Sequence, residues 1–184
     1  RQMGQGFDDS PVVPVENQQE VKSVGHSMTL ERDISSRRDM EKYLLQLAEM
    51  VGRRARRYNV AGKTVHLTVR YADFSTVGRQ QSRKVHTNQS EELFREALSI
   101  LDSMAISQPI RLLGVRITNL CYQRQQLPLF AEERRKVLAT SAMDAVNDRF
   151  GCFAVTYGSV LDNSEKGSFV ISPAWRPDGI RSVE

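Results

Sequence analysis

No run of apolar residues approaches the roughly 20 needed to cross a bilayer, and no basic stretch followed by an apolar one opens the chain. Neither a membrane span nor a secretion signal is therefore visible. Cysteine is scarce. Cys121 and Cys152 are the only two among 184 residues. They stand far apart, and neither has a second Cys or His at metal-ligand spacing, which excludes a zinc finger and a disulfide framework. Two idle thiols suit a reducing, cytoplasmic setting with no membrane partner. Also missing is any constellation of nucleophile, base and metal ligand, so no catalytic residue is assigned and no cofactor is expected to be held by this chain. Asp8 and Asp9 are adjacent carboxylates that face different directions, a solvated pair rather than a metal site.

What is present is ordinary for a folded protein: 40% hydrophobic and 26% charged residues, enough for one compact domain with extensions. Lys and Arg number 26 against 22 Asp and Glu, for a formal charge of +4. A pI near 9.3 permits a polyanionic partner without demanding one. The chain begins at Arg1 rather than Met, and Gln2 to Pro14 is too poor in apolar residues to start a domain, so it reads as part of a longer protein.

Residues 1–20 suit an extended linker, with Pro11 and Pro14 bracketing two valines. A first strand is expected over Val21–Leu30. A helix follows, with Ser36 as N-cap, Asp39 three residues on, and apolar residues at helical spacing from Met40 to Val51. It ends in Arg53, Arg54, Arg56 and Arg57, cations that complement a helix C-terminus.

Lys63–Tyr71 alternates, with Val65, Leu67 and Val69 on one side and Thr64, His66, Thr68 and Arg70 on the other. Ser75–Thr87 is a polar, basic partner strand. Asn88 and Glu91 then form a capping-box pair for a second helix with an apolar stripe from Leu93 to Met104, and Ile110–Leu120 is a fourth strand. The order strand, helix, strand, strand, helix, strand predicts an α+β, ferredoxin-like split βαβ fold. Its four-stranded antiparallel sheet carries both helices on one face. Beyond it, a helix over Glu132–Phe150 with Val137, Leu138, Met143 and Val146 as its stripe, and a strand over Phe153–Leu161, form a C-terminal extension.

The open sheet face would show Arg70 and Arg116 among threonines, with Arg79, Arg83 or Lys84 joining according to the register of the third strand. Such a face holds phosphates, or is simply a solvated sheet face. It has few aromatics, against the base-stacking mode of single-strand RNA modules. His26, His66 and His86 either face nucleic acid or sit on polar strand surface. The second feature is Gln126, Leu127, Pro128, Leu129, Phe130. This short apolar peptide in a polar connector either docks in a partner's groove or closes the protein's own core.

These residues carry a resemblance. Lys22, Ser23, Val24 and Gly25, followed by His26 and Ser27, resemble the opening strand of the little-finger domain of Y-family translesion DNA polymerases, particularly the bacterial DNA polymerase IV branch. Leu113 to Ile117 resemble its last sheet strand, and Gly4 to Pro14 the end of the preceding thumb. The peptide Gln126 to Phe130 is similar to the motif by which bacterial polymerases hold the sliding clamp. The resemblance implies residues 1–20 as thumb end and linker, 21–120 as the DNA-binding little finger, 121–131 as the clamp peptide and 132–184 as an extension.

It further implies a non-catalytic module that grips primer-template DNA, damaged DNA included, through Lys22, Ser23, Gly25, Arg70, Arg79, Arg83 and Arg116. Gln126, Leu127, Leu129 and Phe130 would bind the clamp. The chemistry and its magnesium would belong to the palm of the parent nucleotidyltransferase, whose palm, fingers and thumb are this domain's other partners. One departure is that some fifty residues follow the clamp peptide, which is terminal in the best-known members. A free-standing RNA-binding module and a purely structural clamp adaptor are the alternative readings.

Overall fold

Val65, Leu67, Val69 and Tyr71 are buried while the residues between them are less so, and this alternation fixes which face of the sheet receives the helices. In a computed structural model, which describes residues 5–6, 21–122 and 128–160, the elements run β1 (Val24–Ile34), α1 (Arg37–Arg57), β2 (Val60–Tyr71), β3 (Thr76–Thr87), α2 (Ser90–Asp102), β4 (Ile110–Tyr122) and α3 (Ala131–Phe150). The sheet order is β1-β4-β2-β3, every pair antiparallel. Both βαβ units are split: β4 lies between β1 and β2, and β2 between β3 and β4. The fold is thus the expected α+β, ferredoxin-like arrangement, with β4 and β2 in the interior and β1 and β3 on the edges.

α1 turns Met40, Leu44, Leu47, Ala48, Val51 and Ala55 inward, and α2 adds Leu93, Ala97, Ile100 and Leu101. Together with the inward residues of the strands they form one core. Full burial of each large aliphatic side chain contributes about 1.5–3 kcal/mol, so these two stripes hold the helices to the sheet. Gly52 lies where α1 and α2 meet, and a Cβ there would fall 2.5 Å from Ser90 Oγ and 3.1 Å from Asn88 O. Glycine inside a helix costs about 1 kcal/mol relative to alanine, and here it permits the close approach of the α2 N-terminus.

Both caps differ from expectation. Ser36 occupies the N-cap position of α1, yet its hydroxyl makes no capping bond. α2 is capped from Gln89, not Asn88. Asn88 is instead buried, with Nδ2 donating to Val60 O, while its backbone carbonyl accepts from Arg56 Nη1. A tertiary partner has taken the side chain from its local role.

The expected C-terminal strand is corrected as well. Residues 151–157 turn irregularly and a 3-10 helix follows at Gly158–Val160, while Leu161 lies outside the described residues. Asn147 explains the turn: its Nδ2 donates to Val155 O and its Oδ1 accepts from Val155 N, both at 2.9 Å. Val160 is fully buried against α1. α3 packs through charge as well as through a stripe whose Val137, Met143 and Val146 are only half-buried. Arg56 meets Asp144 in a bidentate pair, Arg53 Nη2 meets Asp148 at 2.6 Å, and Leu138 remains exposed.

Candidate nucleic-acid interface

The registers sort every paired residue to one side of the sheet, because directly opposed residues share a face. Val115 of β4 lies between His26 and Leu67, whereas Arg116 lies between Gly25 and His66. The face opposite the helices therefore carries Gly25, Ser27 and Thr29 from β1, and Leu112, Gly114, Arg116 and Thr118 from β4. From β2 it carries Thr64, His66, Thr68 and Arg70, and from β3 Thr76, Gly78, Gln80 and Ser82. No carboxylate and no Phe, Tyr or Trp stands at these paired positions. Anions approaching this side meet two arginines among hydroxyls, His66, Gln80, Leu112 and glycine backbone.

Hydroxyl pairs tie the face together across the strands. Thr64 Oγ1 and Ser82 Oγ are 2.9 Å apart, Asn119 Nδ2 donates to Thr64 Oγ1, and Arg70 Nε donates to Thr76 Oγ1 at 3.0 Å. His66 Nε2 lies 2.8 Å from Thr118 Oγ1. Burial and, after it, the Arg116 charge push the His66 imidazole below its usual range. It is thus neutral at pH 7, a hydrogen-bonding group rather than a third cation. Arg116 is exposed and makes no ion pair among the described residues.

Gly25 is pinned from two directions. Its carbonyl accepts from Arg54 Nη1 of α1 at 2.9 Å, and a Cβ built on it would come 2.9 Å from Arg116 Cβ and 3.0 Å from Cγ. Its φ is not in the left-handed range. The glycine therefore serves contact rather than conformation: it lets the Arg116 side chain lie over the β1 edge. Lys22 and Ser23, both exposed, lead into this point. Lys22, Ser23, Gly25 and Arg116 are thus brought to one end of the face, with Arg70 at the other.

Arg79 and Arg83 belong elsewhere, which corrects the expectation for the open face. Arg79 is opposite Leu67, placing it on the helix-bearing side. Arg83 joins α2, with Nη2 2.9 Å from Glu92 Oε2 and Nη1 3.8 Å from Glu96 Oε1. Lys84 is exposed in the irregular part of β3. His26 also faces the helix side, opposite Val115. Burial foremost, then the charge of Arg54, lowers its pKa to about 4. Arg54 is the residue that pattern reading missed, since a basic helix end already had a sufficient local explanation.

Of the apolar peptide, Gln126 and Leu127 lie outside the described residues. Leu129 and Phe130 are 84% and 71% exposed, so neither closes the core. Among the described residues no three His, Cys, Asp or Glu side chains are grouped to hold a metal ion, and no helix is long and apolar enough to cross a membrane.

The chain matches the family model described as "impB/mucB/samB family C-terminal domain" over residues 21–129. It is similar to the DNA polymerase IV of Acetivibrio thermocellus, with 33% identity over 164 residues, 86% of this chain and 41% of that protein. The DNA polymerase IV of Pelotomaculum thermopropionicum is 36% identical over 148 residues, 79% of this chain and 37% of its own length. A DNA polymerase IV 2 of Halalkalibacterium halodurans is 34% identical over 154 residues, with 82% and 37% covered. The chain thus spans less than half the length of these relatives.

Proposed function

The chain belongs to the impB/mucB/samB family and carries the C-terminal, little-finger domain of Y-family polymerases, and from that premise we propose that its open sheet face grips the backbone of primer-template DNA. The hydroxyl-rich paired positions of the open face, free of carboxylates and carrying Arg116 at one end and Arg70 at the other, are the observation that carries this reading. Phosphate contacts position DNA without reading its sequence. A distorted base is then no obstacle, as bypass of damage requires. Lys22, Ser23, Gly25, Arg70 and Arg116 form the proposed contact set; Arg79 and Arg83 leave it because of their side of the sheet. Catalysis, with its magnesium, falls to the palm of a cytoplasmic DNA polymerase of which this domain is one part.

The salt dependence of binding tests the reading. Each phosphate contact to B-DNA contributes about −0.9 to the slope of log K against log salt. Arg116→Ala should weaken binding across all sequences and lower the slope by about one. An unchanged slope would remove the face from the interface. The absence of aromatic rings from the paired positions disfavours the single-stranded RNA module, and RNA competing better than duplex would reinstate it.

The same proposal includes tethering to the sliding clamp by Gln126, Leu127, Leu129 and Phe130, supported by the exposure of the last two. Apolar side chains held in water are suited to a partner's groove. Replacing Leu129 and Phe130 with alanine should abolish clamp capture while leaving the melting temperature unchanged. Loss of folding instead would return the pair to a structural role.

A further inference from the structure

Four non-glycine residues have positive φ: Asn59, Phe74, Asn119 and Phe153. Asparagine tolerates the left-handed region, whereas an aromatic there is an outlier whose maintenance calls for a reason. Phe74, with φ +66, forms the tip of the β2–β3 hairpin. Its turn is fully determined by other groups. Tyr71 N donates to Ser75 O, Phe74 N to Tyr71 O, and Asp73 Oδ1 accepts from both Ser75 N and Ser75 Oγ. None of these bonds uses the ring, so asparagine or glycine at position 74 would preserve them all.

Nor is the ring there for core burial, since Phe74 is 65% exposed. The Arg111 guanidinium lies 4.6 Å from the ring centroid while pairing with Asp33. One cation therefore braces the aromatic and is itself held. The tip extends the sheet at the end marked by Arg70 and Thr76, whose side chains bond to each other on the open face. An aromatic ring thus stands at the end of the sheet that Arg70 marks, beside the Arg111–Asp33 pair.

We infer that Phe74 is an aromatic contact for a nucleotide of the bound DNA, packing on the apolar face of a deoxyribose or on an unstacked base. The inference rests on the proposed DNA grip and adds a π-surface at the sheet's end, beyond paired positions that carry none. Aromatic packing needs no base-edge recognition, so it is as tolerant of sequence as the phosphate contacts beside it.

The test compares Phe74→Asn, Phe74→Trp and Arg116→Ala in the full chain, by anisotropy, on a blunt duplex and on the same duplex with a single-stranded 5′ extension. Phe74→Asn should melt no lower than the parent, bind about fivefold or more weakly and keep the salt slope. Phe74→Trp should retain affinity. Weakening on both DNAs assigns a sugar contact, and weakening confined to the extended DNA assigns an unstacked base. Parental affinity of Phe74→Asn on both DNAs, with Arg116→Ala impaired, overturns the inference alone. A lowered melting temperature for Phe74→Asn overturns it in favour of a structural ring. If neither Phe74→Asn nor Arg116→Ala changes binding, the phosphate-grip reading fails and this inference falls with it.

Discussion

Replacing Gly25 with alanine asks whether Arg116 is placed by the hole opposite it. The new Cβ would meet Arg116 Cβ at 2.9 Å, Arg116 Cγ at 3.0 Å and Val115 O at 3.2 Å. None of these is the free end of a side chain: the first two sit at the root of Arg116 and the third is backbone of an interior strand. Overpacking of this kind costs about 1–3 kcal/mol, offset by about 0.4–1 kcal/mol from the stiffer unfolded chain. A net loss of about 1–2 kcal/mol is expected, read by urea denaturation and as a fall of several degrees in melting temperature. DNA binding should weaken as well, because relief of the clash displaces Arg116. The decisive measurement is the same substitution in an Arg116→Gly background. Two of the three contacts are then gone, so at least half of the stability cost and all of the further binding loss should vanish. An equal cost in both backgrounds, or no cost in the parent, would refute the account of Gly25 as the seat of Arg116.

Two other perturbations separate the sides of the sheet. Arg83→Ala should cost about 0.5–1 kcal/mol, the range of partly exposed pairs, through loss of Glu92 and Glu96. It should leave the salt slope of DNA binding where it was; a slope lower by about one would put Arg83 back on the DNA. His26, with its pKa lowered from 6.5 to about 4, is neutral in the folded chain while the unfolded chain takes up a proton below 6.5. Its contribution is therefore whole above that pH and is lost as pH falls toward 4. Discounted for the ring's partial exposure, the loss is about 1–2 kcal/mol, and His26→Gln should show a correspondingly flatter stability profile over that window.

The interior of this fold was legible because β2 and β4 must bury one side only. Val65, Leu67 and Val69 against Thr64, His66 and Thr68 leave a single choice of face, since a slip of one residue would drive threonines into the core. β3 offers no such constraint. Most of its residues are exposed, so its parity is set by pairing with β2, and only the register shows that Arg79 and Arg83 turn away from Arg116. The caps failed for a related reason: Asn88 found Val60 and Arg56, partners distant in sequence that no local signature contains. α3 was legible as a helix but not in its manner of docking. An apolar stripe predicts burial, yet Val137, Met143 and Val146 are only half-buried, Leu138 stays in water, and Asp144 and Asp148 are bound by Arg56 and Arg53.

These errors share a direction that bears on function. Arg79 and Arg83, whose side was unknown, were credited to the open face, yet both lie on the helix side, where Arg53, Arg56 and Arg83 are neutralised by carboxylates of α2 or α3. The chain's excess of basic over acidic residues is thereby divided. Arg53, Arg56 and Arg83 on the helix side meet acids, while Arg116 on the other side meets none among the described residues and lies between Gly25 and His66. A modest net charge of +4 is then no argument against a polyanion as partner. The quantity that governs a phosphate contact within a Debye length of about 8–10 Å is the local charge of one face, and the paired positions of that face carry no carboxylate.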